Sequence, residues 1–411
     1  MLFANPRAVR TPYPIELHRF MNIAQARESR AWLSSWKGLT PGATPLYELP
    51  DLAAELGVAR IAVKDESVRS PLGSFKALGA PVALVRLILR LHPDRGLEPT
   101  AILSGRYAGL LHDCTVISAT DGNHGRSLAA AARDAGCRCV IVLHAKVSSE
   151  REQAIAAYGA QIVRVAGNYD DSVREAARLA CENGWQVVSD TSYDGYQDIP
   201  RDVMQGYATI ADELVEQTGA RPGEPSAFTH VLLQGGVGGL AAGIVSYLWE
   251  FHGARRPHFV VVEPDQADCL LQSAIAGRAA TATGSAESVM AGLACGETSP
   301  LAWRYLQPAV DDFLTIDDAA IAGVMRRLAN GSDRDIPLVA GESGAAGFAG
   351  LLALRGNADW ARRTQLDADA RVLLINTEGA TAPAIYEELA GQSAETVLRR
   401  QAAWKDAATG L

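Results

Sequence analysis

The sequence of 411 residues predicts an α/β protein with two doubly wound units, each built around a largely parallel sheet. Two observations carry this prediction. Apolar runs of strand length alternate with stretches of helical period from about residue 60 to the end of the chain. Residues 114–190 are the most regular part and predict four strands and three helices, and a second block with the same rhythm starts at His230.

The first predicted elements flank a turn signal. A short apolar run predicts a strand at Arg60–Val63, and the turn residues 71–73 precede a long helix over about Ser74–Leu91. In residues 114–190, apolar runs predict strands at Thr115–Ser118, Cys139–Leu143, Gln161–Val165 and Gln186–Ser189. Helical periodicity between them predicts helices at Gly125–Ala135, Ser149–Ala157 and Ser172–Cys181. Ser149 and Glu152 have the spacing of a capping box.

The remaining elements repeat the same pattern. A loop rich in Tyr, Asp and Pro, Asp190–Pro200, precedes a helix that is predicted to run to about Gln217. The periodicity then predicts a strand, a helix and two further strands at His230–Leu233, Ala241–Phe251, His258–Val262 and Val372–Ile375.

Composition is that of an ordinary globular protein. Hydrophobic residues make up 48% and charged residues 21% of the sequence, which excludes general disorder and fibrous repeats. Asp plus Glu is 47 against 38 for Lys plus Arg, which gives a net charge of −9, and no long basic run offsets it. We therefore expect no nucleic acid and no membrane as the main partner.

The start of the chain and the cysteines indicate a cytoplasmic protein. Residues 1–20 contain prolines and charges where a secretory signal needs an unbroken apolar stretch. The six cysteines are scattered, and only Cys137 and Cys139 are close in sequence. These two share one face of a predicted strand without a second pair of ligands nearby, so we expect reduced structural thiols and no metal site.

A glycine run follows the strand that starts at His230. Gln234–Leu240 lies between this strand and an alanine-rich helix, and its glycines let a phosphate approach the backbone N–H groups at the helix start. A tight turn without a ligand is one alternative. A dinucleotide site is the other, because Glu263 ends the next strand where a ribose-binding carboxylate would lie, although Ala241 occupies the third glycine position of that motif.

Lys76 stands in the most informative segment of the sequence. It falls in the first turn of the predicted helix, where a cation opposes the helix dipole. That placement would lower the pKa of the amine and activate it as a nucleophile for an aldehyde. A solvated surface lysine is the alternative for any single Lys.

Several further segments, taken together in this order, resemble one enzyme family. The segments are Lys64–Ser67, Ser74–Lys76, Ala119–Gly125, Asp194–Pro200, Met204–Asp212, Gly235–Gly239, Met290–Gly296, Gly341–Gly344 and Asn376–Gly379. The chain resembles the fold-type II pyridoxal-phosphate enzymes, the tryptophan synthase β and threonine dehydratase group, and within them the diaminopropionate ammonia-lyases. The resemblance extends from about Tyr47 to Gly379 and implies the fold-type II architecture.

The resemblance implies a set of cofactor-binding residues. Lys76 would bond covalently to pyridoxal phosphate, and Asn123 would donate to the phenolic oxygen of its ring. The phosphate would bind to the loop formed by Gly235, Gly236, Val237, Gly238 and Gly239. An ordinary helix-capping Asn is the alternative for Asn123. The family has Ser-Thr before Glu-Gly where this chain has Asn376 and Thr377, so the residue that meets the pyridine nitrogen stays open between these two.

The resemblance also implies the catalytic residues. Lys76 and Asp121 would approach opposite faces of the substrate Cα, and Asp190 would be a catalytic acid at the carboxyl edge of the sheet. For Asp190 a loop-capping carboxylate is the alternative. Glu342 either lines the ring or is structural.

A function and a domain division follow from the resemblance. Residues 1–80 and 206–411 would form a large cofactor-binding domain and residues 81–205 a small α/β domain, with the active site between them in a homodimer. The implied reaction is elimination from D- and L-2,3-diaminopropionate to give pyruvate and two ammonia. Alternatives are a dehydratase or β-eliminating lyase on serine, threonine or hydroxyaspartate, an NAD-dependent oxidoreductase, and a catalytically silent binding protein. The oxidoreductase leaves the Ser74–Lys76 segment unexplained.

Overall fold

Two sheets organise the fold and confirm the predicted α/β class. The structure, a computed structural model, describes residues 1–120, 122–167 and 169–409. A seven-stranded sheet has the order β1-β10-β9-β8-β11-β3-β2, and a four-stranded sheet has the order β6-β5-β4-β7, with strands β1 (Leu2–Ala4), β2 (Leu46–Glu48), β3 (Arg60–Asp65), β4 (Thr115–Ala119), β5 (Arg138–His144), β6 (Gln161–Val165), β7 (Gln186–Val187), β8 (His230–Gln234), β9 (His258–Pro264), β10 (Asp312–Ile316) and β11 (Arg371–Asn376).

Helices cover both sheets. The α-helices of the described residues are α1 (Ile15–His18), α2 (Ile23–Leu33), α3 (Pro50–Leu56), α4 (Gly79–Leu91), α5 (Pro99–Ile102), α6 (Ala108–Leu111), α7 (Asn123–Ala135), α8 (Ser149–Ala156), α9 (Tyr169–Asn183), α10 (Asp198–Tyr207), α11 (Thr209–Gln217), α12 (Gly239–His252), α13 (Cys269–Ala276), α14 (Pro300–Ala309), α15 (Ala319–Asn330), α16 (Ala346–Gly356), α17 (Ala358–Arg363), α18 (Pro383–Ala390) and α19 (Ala394–Thr409). Short 3-10 helices occur at Glu66–Val68, Phe75–Leu78, Pro93–Arg95, Gly253–Arg255 and Ala291–Leu293.

The inner strands are parallel and buried on both faces. In the large sheet only the edge strands β1 and β2 run antiparallel to their neighbours, whereas all strands of the small sheet are parallel. Strands β8 and β10 are buried at every residue, and three of the five side chains in each are apolar.

Each sheet has one point where the strand order reverses. In the small sheet β5 and β6 lie on one side of β4 and β7 lies on the other, so the reversal falls between β4 and β7. In the large sheet it falls between β8 and β11. Ligands of open α/β sheets bind beyond the carboxyl ends of strands at such points. The chain segments that leave these four strands include the glycine loop, Thr377, Asn123 and Asp190.

The predicted helix at Ser74–Leu91 is divided in two. Phe75–Leu78 forms a 3-10 turn, and α4 begins at Gly79. The prediction of one α-helix from Ser74 is therefore wrong in its first turn, because apolar periodicity over four residues does not separate a 3-10 turn from an α-helix. The predicted helix that runs to Gln217 is likewise divided, into α10 and α11 with Ala208 between them.

The capping box at Ser149 is also wrong. Ser148 is the N-cap of α8, with an extended backbone, and its hydroxyl accepts from the N–H of Arg151 at 3.3 Å. A capping side chain needs this extended conformation, whereas Ser149 is already helical.

The strand predictions are confirmed with small shifts of their ends. The strand at Gln161–Val165 has the predicted bounds, whereas β7 stops at Val187, before the predicted end at Ser189. Strands β1, β2 and β10 were not predicted. The first two have three residues each, which is too short for an alternating pattern to be recognised.

Helices α4 and α10 lie side by side at very close range. A Cβ at Gly79 would lie 2.5 Å from the ring of Tyr207, and one at Gly206 would overlap the carbonyl oxygen of Leu78. At the other end of the pair, the Arg90 guanidinium donates to Asp202 at 2.6 Å. The two helices therefore run antiparallel, and the chain between them, residues 92–197, begins and ends at neighbouring turns.

A buried set of charges ties β3 to α11. Lys64 Nζ donates to the Glu213 carboxylate at 2.6 Å, and the Arg69 guanidinium donates to both oxygens of Glu213 at 2.7 Å. Arg69 also donates to Glu66 at 2.8 Å. The two cations and two carboxylates have side chains at most 2% exposed. Their charges cancel, which is the condition under which such groups are tolerated away from water.

Two kinds of feature are absent from the residues that the structure describes. No helix there is long and apolar enough to cross a membrane. No group of three or more His, Cys, Asp or Glu side chains is arranged to hold a metal ion.

Candidate active site

Lys76 and Asp190 form an ion pair between the two sheets. The 3-10 turn that carries Lys76 is fixed to the large sheet, because the N–H of Phe75 donates to the carbonyl of Thr377 at 3.0 Å. Asp190 follows β7 of the small sheet, and its Oδ2 accepts from Lys76 Nζ at 2.5 Å. The side chains are 20% and 16% exposed.

The ion pair reverses the pKa shift that the sequence predicts for Lys76. Burial opposes the charge on the amine, but the nearby Asp190 carboxylate outweighs it and raises the pKa of Lys76 above its usual range. Burial likewise opposes the charge on Asp190, and Lys76 lowers the pKa of that carboxyl below its usual range. The prediction of a lowered pKa for Lys76 is wrong, because a carboxylate 2.5 Å from the amine changes its pKa more than the dipole of one short turn does.

The glycine loop is a cradle between β8 and α12. Gly236 and Gly238 have φ angles of +64° and +98°, which L side chains rarely adopt. A Cβ at Gly235 would lie 2.5 Å from Glu263, and one at Gly238 would lie 2.8 Å from Leu306. The loop leads into the N-terminus of the 14-residue helix α12, whose first N–H groups have no partner within the helix. This arrangement suits a phosphate.

The carboxylate of Glu263 is hydrogen-bonded to backbone groups of the protein itself. It accepts from the backbone N–H groups of Leu270 and Leu271, at 2.9 and 2.8 Å, at the start of α13. Burial raises the pKa of Glu263 to about 8. The ribose-binding role considered for Glu263 is therefore wrong, because its two oxygens already serve a helix N-terminus inside the protein.

Asn123 reaches from the small sheet to the large one. It is the first residue of α7, where Gly122 occupies the N-cap position, so its side chain is not the helix cap. Its Nδ2 donates to Glu378 Oε2 at 2.5 Å. Glu378 Oε1 also accepts from the N–H of Ser343 at 3.2 Å.

Asn376 and Thr377 have different surroundings. The amide nitrogen of Asn376 donates to Asp65 at 2.8 Å and to the carbonyl of Val339 at 3.0 Å, so this side chain joins the ends of β11 and β3 to the segment that contains Val339. Thr377 is the next residue and is 2% exposed. Since the amide nitrogen of Asn376 already donates to two acceptors and only its buried oxygen is without a partner, Thr377 is the better candidate for a hydrogen-bond donor to the pyridine nitrogen.

Glu342 pairs with a residue of the small sheet's helices. Arg151 of α8 donates to Glu342 Oε1 at 3.2 Å. Burial, with the neighbouring Glu378 carboxylate, raises the pKa of Glu342 to about 7. Of the two roles considered for Glu342, this bridge across the cleft is a structural one.

Two site residues, His124 and Tyr207, were not predicted. His124 Nε2 lies 2.9 Å from the carbonyl oxygen of Val188, while its Nδ1 lies 3.8 Å from Asp190 Oδ2 without a hydrogen-bond partner. The Tyr207 hydroxyl is also buried without a partner, and its ring centroid is 5.6 Å from Lys76 Nζ. Both residues stand in segments that carry the resemblance, and that was the available signal. Asp121 lies outside the described residues.

Comparison with known proteins decides the family. The sequence profile described as "Pyridoxal-phosphate dependent enzyme" matches residues 38–378. Diaminopropionate ammonia-lyase of Escherichia coli strain K12 is 39% identical over 378 residues, which cover 91% of this chain and 93% of that protein. This chain belongs to the diaminopropionate ammonia-lyase family of pyridoxal-phosphate enzymes.

Solved structures agree with this assignment. The crystal structure of selenomethionine-incorporated holo diaminopropionate ammonia-lyase from Escherichia coli has a TM-score of 0.84 and 37% identity, over 95% of this chain and 96% of that chain. The complex of the Escherichia coli enzyme with D-serine gives the same values. Family membership confirms the predicted fold-type II architecture and pyridoxal phosphate as the cofactor, and the alternatives of an oxidoreductase and a silent binding protein are wrong.

The residues present fit pyridoxal phosphate. Lys76 supplies a primary amine for its aldehyde, and the glycine loop supplies backbone N–H groups at the start of α12. Positions 235 and 238 have no room for a side chain, because Glu263 and Leu306 lie where a Cβ would be, so both present bare backbone. A Cβ at Gly239 would lie 3.9 Å from both the Asp190 carbonyl oxygen and the Tyr207 ring, so the end of the loop is adjacent to the Lys76 pair. Two orphaned polar atoms, on His124 and Tyr207, lie in the same place.

Proposed function

We propose that this protein catalyses the elimination of the amino group from Cβ of 2,3-diaminopropionate, from either enantiomer, to give pyruvate and two ammonia. The overall reaction consumes one water. The observation that carries the proposal is the Asp190 carboxylate 2.5 Å from the Lys76 amine. A substrate with a second ammonium can replace the lysine cation on this carboxylate, because a half-buried charge is stabilised by an opposite charge beside it. Serine has no such group.

Binding of the cofactor is assigned to residues of both sheets. The backbone of Gly235–Gly239 holds the phosphate, Asn123 donates to the phenolic oxygen, and Thr377 meets the pyridine nitrogen. Asn376 supports the adjacent strand ends. When bound, pyridoxal phosphate supplies the electron sink that acidifies the Cα–H bond of the substrate.

The proton transfers are assigned to three side chains. Lys76 would hold the cofactor through its Nζ, and the free amine would take the Cα proton on Nζ from one face of the substrate. Asp121 takes it from the opposite face, which lets each enantiomer meet its own base. Asp190 keeps the β-nitrogen charged, so this nitrogen leaves as neutral ammonia.

The division into domains is part of the proposal. Residues 1–80 and 206–411 form the cofactor-binding domain and residues 81–205 the small domain, in a cytoplasmic homodimer. The seven strands of the large sheet lie within the first two ranges and the four of the small sheet within the third, which supports the division. Light scattering of the purified protein tests the dimer, and a monomer at assay concentration would contradict it.

The deciding experiment compares substrates by pyruvate and ammonia release. D- and L-2,3-diaminopropionate should give two ammonia per pyruvate, whereas 2,4-diaminobutyrate is the matched control, because its second amine is on Cγ and cannot leave from Cβ. The Escherichia coli enzyme has been crystallised with D-serine, so elimination from serine is the second candidate. Faster turnover of serine than of either diaminopropionate enantiomer would replace the proposed substrate.

Two variants test the assigned acids. Asp121→Asn removes the proton acceptor while keeping the shape, so kcat/KM should fall about 10²–10⁴-fold for the D enantiomer and much less for the L enantiomer. Equal losses would make Asp121 structural. Asp190→Asn should lower kcat/KM for diaminopropionate more than for serine, and equal losses would remove the argument from the second ammonium.

A further inference from the structure

His124 is a buried titratable group for which the proposed mechanism gives no role. The residue is 4% exposed and lies in the first turn of α7. Its Nε2 is 2.9 Å from the carbonyl oxygen of Val188. A carbonyl oxygen can only accept, so Nε2 carries the hydrogen and, in the neutral ring, Nδ1 holds a lone pair.

The lone pair of Nδ1 faces Asp190 with nothing to bind. Nδ1 lies 3.8 Å from Asp190 Oδ2, and it has no hydrogen-bond partner. Two acceptors face each other there, which is unfavourable inside a protein. A proton on Nδ1 would convert this contact into a charge-assisted pair after an approach of about 1 Å.

Lys76 has a proton that must leave. The amine reacts with an aldehyde only through its neutral form, yet Asp190 at 2.5 Å holds it as an ammonium. If the proton went to bulk solvent, the half-buried Asp190 carboxylate would be left without a cation beside it, which is costly.

The other groups that face Lys76 do not accept this proton. The Tyr207 hydroxyl is the nearest alternative, but burial raises the pKa of Tyr207, so its oxygen is a phenol that already carries a hydrogen. Phe75 offers only its ring, and a proton on Cys295, a further neighbour that favours the charged lysine, would leave Asp190 without a cation. The pKa of His124 is lowered mainly by burial. Asp190 raises it, and the Lys76 cation lowers it further.

We propose that His124 is the proton acceptor for Lys76, reached through Asp190. The proton leaves Lys76 Nζ for Asp190 Oδ2, and Oδ2 passes it to His124 Nδ1. The lysine nitrogen keeps its electron pair, the carboxylate ends with the charge it had, and the ring becomes an imidazolium. The three groups carry +1, −1 and 0 before the transfer and 0, −1 and +1 after it. Asp190 therefore has a cation beside it throughout.

The proposal makes His124 a positioning residue that acts through Asp190. It rests on the role proposed for Lys76 toward the cofactor. It also explains how a lysine that is held as an ammonium can become a nucleophile. The sequence predicted that the helix dipole would achieve this by lowering the pKa of Lys76, whereas that pKa is raised.

The first test needs neither cofactor nor substrate. Apoenzyme labelled with ¹⁵N-histidine is titrated by NMR, and His124→Gln identifies the His124 signal. In the wild type, His124 should be neutral near pH 7 with its hydrogen on Nε2. Lys76→Met removes the cation while keeping most of the side-chain length, and His124 should then take up a proton, with its affinity for protons rising at least about tenfold.

Matched controls isolate the relay. Lys76→Arg keeps the cation and should leave His124 neutral, and Asp190→Asn in the Lys76→Met background should abolish the rise. His230 is an internal control. Its Nε2 likewise lies close to a backbone carbonyl oxygen, at 2.8 Å, but the residue is the first of β8, at the end of that strand away from the glycine loop. An imidazolium in the wild type, or an unchanged His124 titration in Lys76→Met, would overturn the proposal.

The second test follows covalent attachment of added pyridoxal phosphate to the apoenzyme by absorbance. His124→Gln should slow attachment about 10²-fold near neutral pH, with recovery as the pH rises and hydroxide replaces the acceptor. A loss that is the same at every pH would mean that His124 is only structural. Failure of diaminopropionate as the substrate leaves both tests intact, so the two proposals can fail separately.

Discussion

Replacing Glu213 with Gln would remove one charge from the buried set that joins β3 to α11. The carboxylate accepts from Lys64 at 2.6 Å and from Arg69 at 2.7 Å, and all these side chains are at most 2% exposed. The neutral amide leaves a net charge of +1 from Lys64, Arg69 and Glu66 in the protein interior. Removal of one partner from a buried ion pair costs about 3–5 kcal/mol, so we expect the free energy of unfolding to fall by that amount.

Urea unfolding of the apoprotein measures this loss. With a slope of about 3 kcal/mol per molar urea, the midpoint should fall by about 1–1.7 M. Glu216→Gln is the matched control on the same helix, because the Glu216 carboxylate is 58% exposed and pairs with Arg30 at 2.8 Å. That variant should cost at most about 1 kcal/mol.

A second substitution tests the electrostatic cause. Lys64→Met in the Glu213→Gln background returns the buried set to neutrality and should restore part of the lost stability. The reasoning would be refuted if Glu213→Gln shifted the midpoint no further than Glu216→Gln does.

Three more predictions concern the cofactor and pH. Lys76→Ala should fold but form no borohydride-reducible bond with pyridoxal phosphate, and mass spectrometry that finds the reduced cofactor on another lysine would contradict the assignment. Gly238→Val should weaken cofactor affinity in a titration and lower stability by about 2–5 kcal/mol, because the left-handed backbone and the contact with Leu306 both oppose a side chain; unchanged affinity would argue against the loop as the phosphate site. Burial lowers the pKa of His230 to about 4, so below about pH 6.5 the unfolded chain binds a proton that the folded chain does not, and stability falls as the pH falls. At pH 5 this loss is about 2 kcal/mol, and His230→Gln should show a shallower dependence of the urea midpoint on pH.

The order of elements could be predicted because buried parallel strands leave a simple signal. Strands such as β8 have a continuous apolar run in their middle, Val231–Leu233, and helices between them show a 3.6-residue period. Short edge strands such as β1 and β2 leave no such signal, since three residues show no alternation. The sequence also does not show whether a single helical turn is 3-10 or α, which is why the 3-10 turn at Phe75–Leu78 was expected to be α-helical.

The site could be predicted as a set of residues but not as an electrostatic arrangement. The resemblance named Lys76 and Asp190, yet the pKa of Lys76 depends on a distance between residues 114 positions apart. The hydrogen bonds of Glu263 to the N-terminus of α13 also depend on tertiary structure, because an acidic residue at the end of a strand looks the same in sequence whatever it binds. His124 was overlooked because its role depends on which atoms face its two ring nitrogens.

The antiparallel contact between α4 and α10 has a consequence for how such enzymes diversify. Residues 92–197 leave and rejoin the rest of the chain at neighbouring turns, where Arg90 meets Asp202. A segment whose ends lie together can be exchanged between relatives without moving the rest of the fold, as in domain insertion. The segment 92–197 contains Asn123 and Asp190, whereas Lys76 and the glycine loop lie outside it. Recombination at these two turns would therefore exchange the partner of Lys76 and the Asn123 contact, while Lys76 and the glycine loop are inherited unchanged.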